Sequence, residues 1–334
     1  LNSSRPEISQ LIDGLKKSDR IILAKAITLV ESSLPSDQKI ADDLLDRILP
    51  ETGNSIRIGI TGVPGVGKST FIETFGKYLT AQEKKIAILT IDPSSQLTRG
   101  SILGDKTRMG ELSKNPLAFI RPSAAGSTLG GVTNATRKSI MLCEAAGYEI
   151  IIIETVGVGQ SETAVKKMVD FFLLLMLAGA GDELQGIKKG ITEMADALVI
   201  TKADGDNVAN ATRAMAEYQH ALHLHASSSP EWNTKVMMCS AFTGQGVKEI
   251  WETIAQRTER SKQSGLFGRT RQQQNIDWFH EYFDHLVRTD VDRRDGVRKK
   301  RDRCVHEIEA LNLSPQTAAR KLLESYHQSI RKND

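Results

Sequence analysis

The octapeptide Gly62-Val63-Pro64-Gly65-Val66-Gly67-Lys68-Ser69 follows a short apolar run and precedes a helix-like stretch. In that context the pattern G-x-x-x-x-G-K-[ST] has a chemical reading: glycines let backbone amides wrap phosphate oxygens, a lysine neutralises the outer phosphates, and a hydroxyl ligates Mg²⁺. Lys68 and Ser69 fill the last two roles, and Thr70 continues the same first turn. Downstream, Asp92, Asp105 and Glu154 stand in loops or at the ends of apolar runs. Mg²⁺ keeps several waters, so a hydroxyl, one or two carboxylates and phosphate oxygens suffice to hold it. Glu154 is read as reaching the metal through a water, and Gly157 as offering its amide to the γ-phosphate. Asp92 and Asp105 are read either as further metal groups or as turn formers.

Thr201-Lys202-Ala203-Asp204 matches the pattern [NT]-K-x-D, and Ser240-Ala241-Phe242 follows a later apolar run. A carboxylate at Asp204 can accept both N1–H and the 2-amino group of guanine, which adenine does not offer in that geometry. The stem of Lys202 would cover the base, and the Ala241 amide would point at O6. GTP and GDP, with Mg²⁺, are therefore the expected ligands. Thr201 stands where asparagine is commoner, and its shorter side chain predicts a looser tie to the phosphate loop. The stretch ETVGVGQSE, 154–162, reads as a phosphate-sensing switch without the usual water-orienting glutamine. Val158 occupies that place and Gln160 comes two residues late, so slow unaided hydrolysis is expected.

Seven apolar runs must position these groups: SIRIGIT, KIAILTID, LAFIRPSA, YEIIIIET, FFLLLMLAG, DALVITKAD and KVMMCSA. Such runs suit strands buried on both faces, and their alternation with helix-like stretches predicts a doubly wound, mostly parallel α/β sheet. Ligands bind such sheets at the carboxyl ends of the strands, where the polar motifs fall. Residues 1–50 carry helical spacing, with Ser18 read as a cap, and form an N-terminal helical extension. Residues 51–258 form the nucleotide domain and 259–334 a helical segment, within which Ser314-Pro315 opens a helix. In that segment Ile276, Phe279, Phe283 and Leu286 share one helical face, which is read as serving homodimerisation or packing back onto the chain's own sheet.

The 334-residue chain carries 44 basic and 41 acidic side chains, a net charge of +3. No general attraction to nucleic acid or an anionic membrane is implied. Three cysteines, Cys143, Cys239 and Cys304, with no C-x-x-C pair, argue against a disulfide scaffold or a zinc cluster and for a reducing, cytoplasmic setting. The most apolar stretch, 171–180, is too short to cross a bilayer and is read as a buried strand. His220, His223 and His225 lack partner cysteines, and the charged stretch 288–303 interleaves aspartates with its cations and carries no stacking aromatics. Both are read as solvated segments.

With GVPGVGKS, the interval from IDPSS to GDKTRM, ETVGVGQSE, GAGDELQGIKKGI, TKADGD and SA in that order, the chain resembles the MeaB/ArgK family of P-loop GTPases. The resemblance implies a G-protein chaperone that gates cofactor loading and protects or reactivates an adenosylcobalamin-dependent methylmalonyl-CoA mutase. It implies that Lys68, Ser69, Asp92, Asp105 and Glu154 form the Mg²⁺ and hydrolysis centre, and that residues 179–190 form a further switch loop touching the mutase. It also supports a homodimer. The same family has carried the label of an ATP-dependent kinase or ATPase of an arginine/ornithine transport system, which is the alternative.

Overall fold

A computed structural model of the chain describes residues 7–91, 109–122, 129–155, 161–179, 189–224 and 232–331. Seven strands, β1 (Ile56–Gly62), β2 (Ile86–Ile91), β3 (Ala118–Arg121), β4 (Ile150–Thr155), β5 (Phe171–Leu177), β6 (Ala197–Thr201) and β7 (Lys235–Met238), form one sheet in the order β3-β2-β4-β1-β5-β6-β7. Every pairing is parallel. Each of the seven apolar runs supplies one strand, and the doubly wound expectation holds.

The side chains explain why these runs need no polar face. Along β4, Ile151 and Ile153 enter one hydrophobic layer while Ile150 and Ile152 enter the other. β5 divides in the same way, with Phe172, Leu174 and Met176 on one side and Phe171, Leu173 and Leu175 on the other. A two-residue side-chain period with both faces covered yields a continuous apolar run.

The first layer contains α1 (Ile8–Lys16), α2 (Arg20–Glu31), α3 (Pro35–Ile48), α5 (Leu129–Ala145), α6 (Ser161–Lys166) and α8 (Val208–Leu224). The second is built on α4 (Lys68–Thr80) and α9 (Val247–Gln263). A short helix, α7 (Lys189–Met194), precedes β6. The N-terminal helices thus share the sheet's own core, with Leu11, Leu15, Leu23, Ile27 and Leu44 nearly inaccessible to solvent.

The cap of α2 differs from expectation. Asp19 accepts the Ile21 and Ile22 amides, while Ser18 has φ of +56° and donates its hydroxyl to the Ala146 carbonyl at 2.8 Å. Ser18 is drawn away by a tertiary acceptor that local spacing does not reveal.

The chain divides into two compact units, Leu1–Gln272 and Gln273–Asp334, so that the long helix α10 (Leu266–Arg293) contributes to both. The second unit adds α11 (Asp295–Glu309) and α12 (Pro315–Arg331). Ser314 caps α12 through the Thr317 amide, as its Ser-Pro start predicts. Val297, Cys304 and Ala318 are buried in this unit, whereas Ile276, Phe279, Phe283 and Leu286 of α10 are exposed. No helix among the described residues is long and apolar enough to cross a membrane.

Candidate nucleotide-binding site

The phosphate loop leaves the end of β1 and enters α4 at Lys68. Gly65 and Gly67 have φ of +79° and +93°, a region that side-chain-bearing residues avoid. Gly62 is fixed by crowding, since a Cβ there would lie 2.5 Å from the Leu175 carbonyl of β5. Val66 is fully buried beneath the turn, Val63 is half-buried, and Pro64 and Gly65 are exposed above it. This loop therefore presents backbone to solvent at the mouth of a helix whose first-turn amides lack intrahelical partners, which suits a polyanion.

Lys68 Nζ donates to the Gly62 and Val63 carbonyls at 2.6 and 3.2 Å. Burial pulls its pKa below the ordinary lysine value, and the Glu154 and Glu162 carboxylates oppose that shift. Ser69 and Thr70 complete the first turn. The Ser69 hydroxyl donates to Glu154 Oε1 at 3.2 Å, across 85 residues of sequence. Glu154 is buried near the carboxyl end of β4, in register with Ile60 of β1. Next to it, the Thr155 hydroxyl donates to that of Thr61 at 2.8 Å, joining the two strand ends.

A hydroxyl and a carboxylate at the start of α4 are hard oxygen donors, and this set fits Mg²⁺. Asp92, Asp105 and Gly157 lie outside the described residues. Most of the 179–190 loop and His225 do too. Among the described residues no group of three or more His, Cys, Asp or Glu is placed to hold a metal.

The second cluster sits at the ends of β6 and β7. Lys202 adopts φ of +55°, with its carbonyl held by the Asn207 side-chain amide at 2.8 Å. Its exposed side chain runs beside the phosphate loop, because a Cβ on Gly67 would stand 3.9 Å from Lys202 Cε. The Ser240 hydroxyl donates to the Asp204 carboxylate, and the Ala203 amide donates to the Cys239 carbonyl at 3.1 Å. Asp204, Ser240 and Ala241 are thus brought together from two loops. Phe242 projects from the same turn and is 93% exposed.

Thr201 corrects one expectation. Its hydroxyl lies 2.7 Å from the Val66 carbonyl and 3.1 Å from that of Met176. The tie to the phosphate loop is made directly, because the end of β6 runs close enough for a short side chain to span the gap.

Glu162 was not singled out by spacing. It opens α6, is almost wholly buried and exerts its charge on Lys68. Its signal is its place at the end of the 154–162 stretch.

A seven-stranded parallel sheet with this loop at the end of β1 and a [NT]-K-x-D turn at the end of β6 defines a P-loop nucleotide hydrolase of the guanine-binding kind. The family described as methylmalonyl-CoA mutase-associated GTPase MeaB matches residues 23–295. The chain belongs to this family of GTPases. Over 317 residues it is 44% identical to the GTPase ArgK of Escherichia coli (strain K12), covering 95% of this chain and 96% of that one. Over 329 residues it is 45% identical to the mitochondrial methylmalonic aciduria type A homolog of Mus musculus, covering 96% of this chain and 79% of the relative. Among solved structures, one described as an LAO/AO transport system kinase aligns with a TM-score of 0.76 and 37% identity, covering 98% of this chain and 99% of that one.

Proposed function

We propose that this GTPase is a G-protein chaperone for an adenosylcobalamin-dependent methylmalonyl-CoA mutase, gating cofactor loading and protecting or reactivating the enzyme. The observation that carries the reading is the meeting of the phosphate loop, the Ser69–Glu154 pair and the Asp204–Ser240 turn at the carboxyl end of the sheet, in a chain of the mutase-associated family.

In this reading Lys68 and the loop amides hold the β- and γ-phosphates and stabilise the charge that develops as water attacks. Asp204 holds the guanine edge, the Lys202 stem covers the base and the Ala241 amide reads O6. Ser69 and Glu154, with Asp92 and Asp105, would hold Mg²⁺. When bound, that ion supplies charge neutralisation at the phosphate oxygens. Val158 leaves the attacking water unpositioned, so turnover by the chain alone is slow until a partner orders the switch. Residues 179–190, which set Asp182, Glu183, Lys188 and Lys189 among four glycines, are assigned to the client contact. The exposed apolar row on α10 supports a homodimer.

The second reading, an ATP-dependent kinase of a transport system, is favoured by the description of the solved relative. Asp204 speaks against it, because a carboxylate facing adenine meets no paired donors.

Light scattering of the chain alone, then with the mutase and either GDP or a non-hydrolysable GTP analogue, tests the proposal. A dimeric mass and a mutase complex whose stability differs between the two nucleotides are expected. A monomeric mass would remove the dimer assignment, and a complex indifferent to nucleotide would remove the chaperone reading.

A further inference from the structure

α4 begins at the phosphate loop, and its second turn reaches the other cluster. The Thr74 hydroxyl donates to the Ala241 carbonyl at 2.8 Å, joining segments 167 residues apart. Both partners are half-buried. A hydroxyl spent on a distant loop, when a helical threonine can bond its own i−4 carbonyl, fixes one loop relative to one helix.

The surroundings make that bond a distance setter. On one side, α4 is held firmly. Phe71 and Phe75 are fully buried, with ring centroids 5.5 Å apart, and Phe75 packs on Trp251 of α9 at 6.4 Å. On the other side, the turn from Ser240 to Gly246 is tightly closed. The Ser240 amide donates to the Gln245 carbonyl at 3.0 Å and the Thr243 amide to the Ser240 hydroxyl at 3.1 Å. Gly246 has φ of +82°, and a Cβ there would come within 2.2 Å of the Met238 carbonyl. Phe242 points into solvent, so its side chain gives the turn no packing anchor. Thr74 is therefore where the helix bearing Lys68 and Ser69 grips the turn bearing Ala241.

We propose that Thr74 is a positioning residue for base selection. It holds the Ala241 segment at the spacing from the phosphate loop that a guanosine phosphate spans, keeping the Ala241 amide in register with O6 and Asp204 with the opposite edge. Hydrogen-bond discrimination falls steeply with misalignment, whereas phosphate binding through Lys68 and the loop amides does not depend on this turn. This inference rests on the guanine assignment to Asp204 and Ala241.

The test compares GDP and ADP binding to the full chain and to Thr74→Val, Thr74→Ala and Thr74→Ser, with thermal melts of each. Thr74→Val keeps the shape and removes the donor, and Thr74→Ser restores it. Loss of about tenfold in GDP affinity is expected in Thr74→Val and Thr74→Ala, mainly through faster dissociation, with ADP affinity unchanged and Thr74→Ser near wild type. Equal weakening of GDP and ADP, or GDP binding as tight as wild type in folded Thr74→Val or Thr74→Ala, would overturn the inference while leaving the guanine assignment standing. A wild-type chain indifferent to the base would overturn both.

Discussion

Replacing Lys68 by methionine is expected to lower GTP hydrolysis by about 10²–10³-fold, the loss that follows removal of one preorganised charge-stabilising donor from a phosphoryl-transfer site. Lys68 Nζ is held between the Gly62 and Val63 carbonyls, so its charge is aimed before substrate arrives. Burial works against that charge, and the carboxylates of Glu154 and Glu162 support it. Methionine preserves the length and packing of the stem but carries no donor. The effect should reside in turnover and in affinity for the triphosphate, with the melting temperature little changed. Single-turnover hydrolysis at saturating GTP measures it, and a loss smaller than tenfold would remove Lys68 from the hydrolysis centre.

The largest expected effect on stability lies at the opposite end of the sheet, where β1 and β5 begin. Arg271, near the start of α10, donates to both carboxylate oxygens of Asp170 at 2.5 and 2.6 Å, to Glu144 at 3.3 Å and to the Ser55 carbonyl at 3.0 Å. Glu144, at the end of α5, also takes two bonds from Arg57 at 2.9 Å each and one from the Ser55 hydroxyl at 2.6 Å. Asp170 in turn accepts the Arg57 amide of β1 at 2.7 Å. The Glu144 side chain is only 1% exposed.

Arg271→Met would leave these carboxylates in the interior with one guanidinium fewer, a loss of about 3–5 kcal/mol by the usual cost of breaking a buried pair. Urea denaturation at neutral pH checks it, and a change below about 1 kcal/mol would show that the network has little net worth.

The same network sets a pH dependence. Burial disfavours ionised Glu144, but Arg57, Arg271 and Ser55 outweigh it and hold the carboxyl below its ordinary value. A carboxyl whose folded pKa is depressed contributes stability that is fully present above its unfolded pKa, about 4.3, and is lost as pH falls through the folded value. The wild-type melting temperature should therefore decline below roughly pH 4, and the gap to Arg271→Met should narrow there as Glu144 protonates. A gap that stays constant down to acid pH would contradict the assignment.

How much of this was legible in the sequence depended on the range of the interactions involved. The strands were legible because burial on both faces turns each into an apolar run, as at 150–153 and 171–177. The phosphate loop and the 201–204 turn were legible because each packs its chemistry into a few consecutive residues. Long-range partnerships were not. Ser18 looks like a cap on sequence because its Ala146 acceptor is 128 residues away. Thr201 on sequence predicts a looser tie because the approach of Val66 is a property of the folded sheet. Charges such as Asp170 and Arg271 look like surface residues until the fold brings them together across 101 positions. Thr74 carries no local pattern at all.

Asp204 is the group proposed to make this site choose guanine. Competition of GTP and ATP for the chain, repeated with Asp204→Ala, tests it most directly. In the wild type, GTP should outcompete ATP by about 10³-fold or more, as expected where a site built to hydrogen-bond its ligand meets an analogue lacking the donors, and the preference should collapse in the variant while phosphate-dependent binding persists. Comparable affinities for GTP and ATP in the wild type, or an undiminished preference in Asp204→Ala, would contradict it.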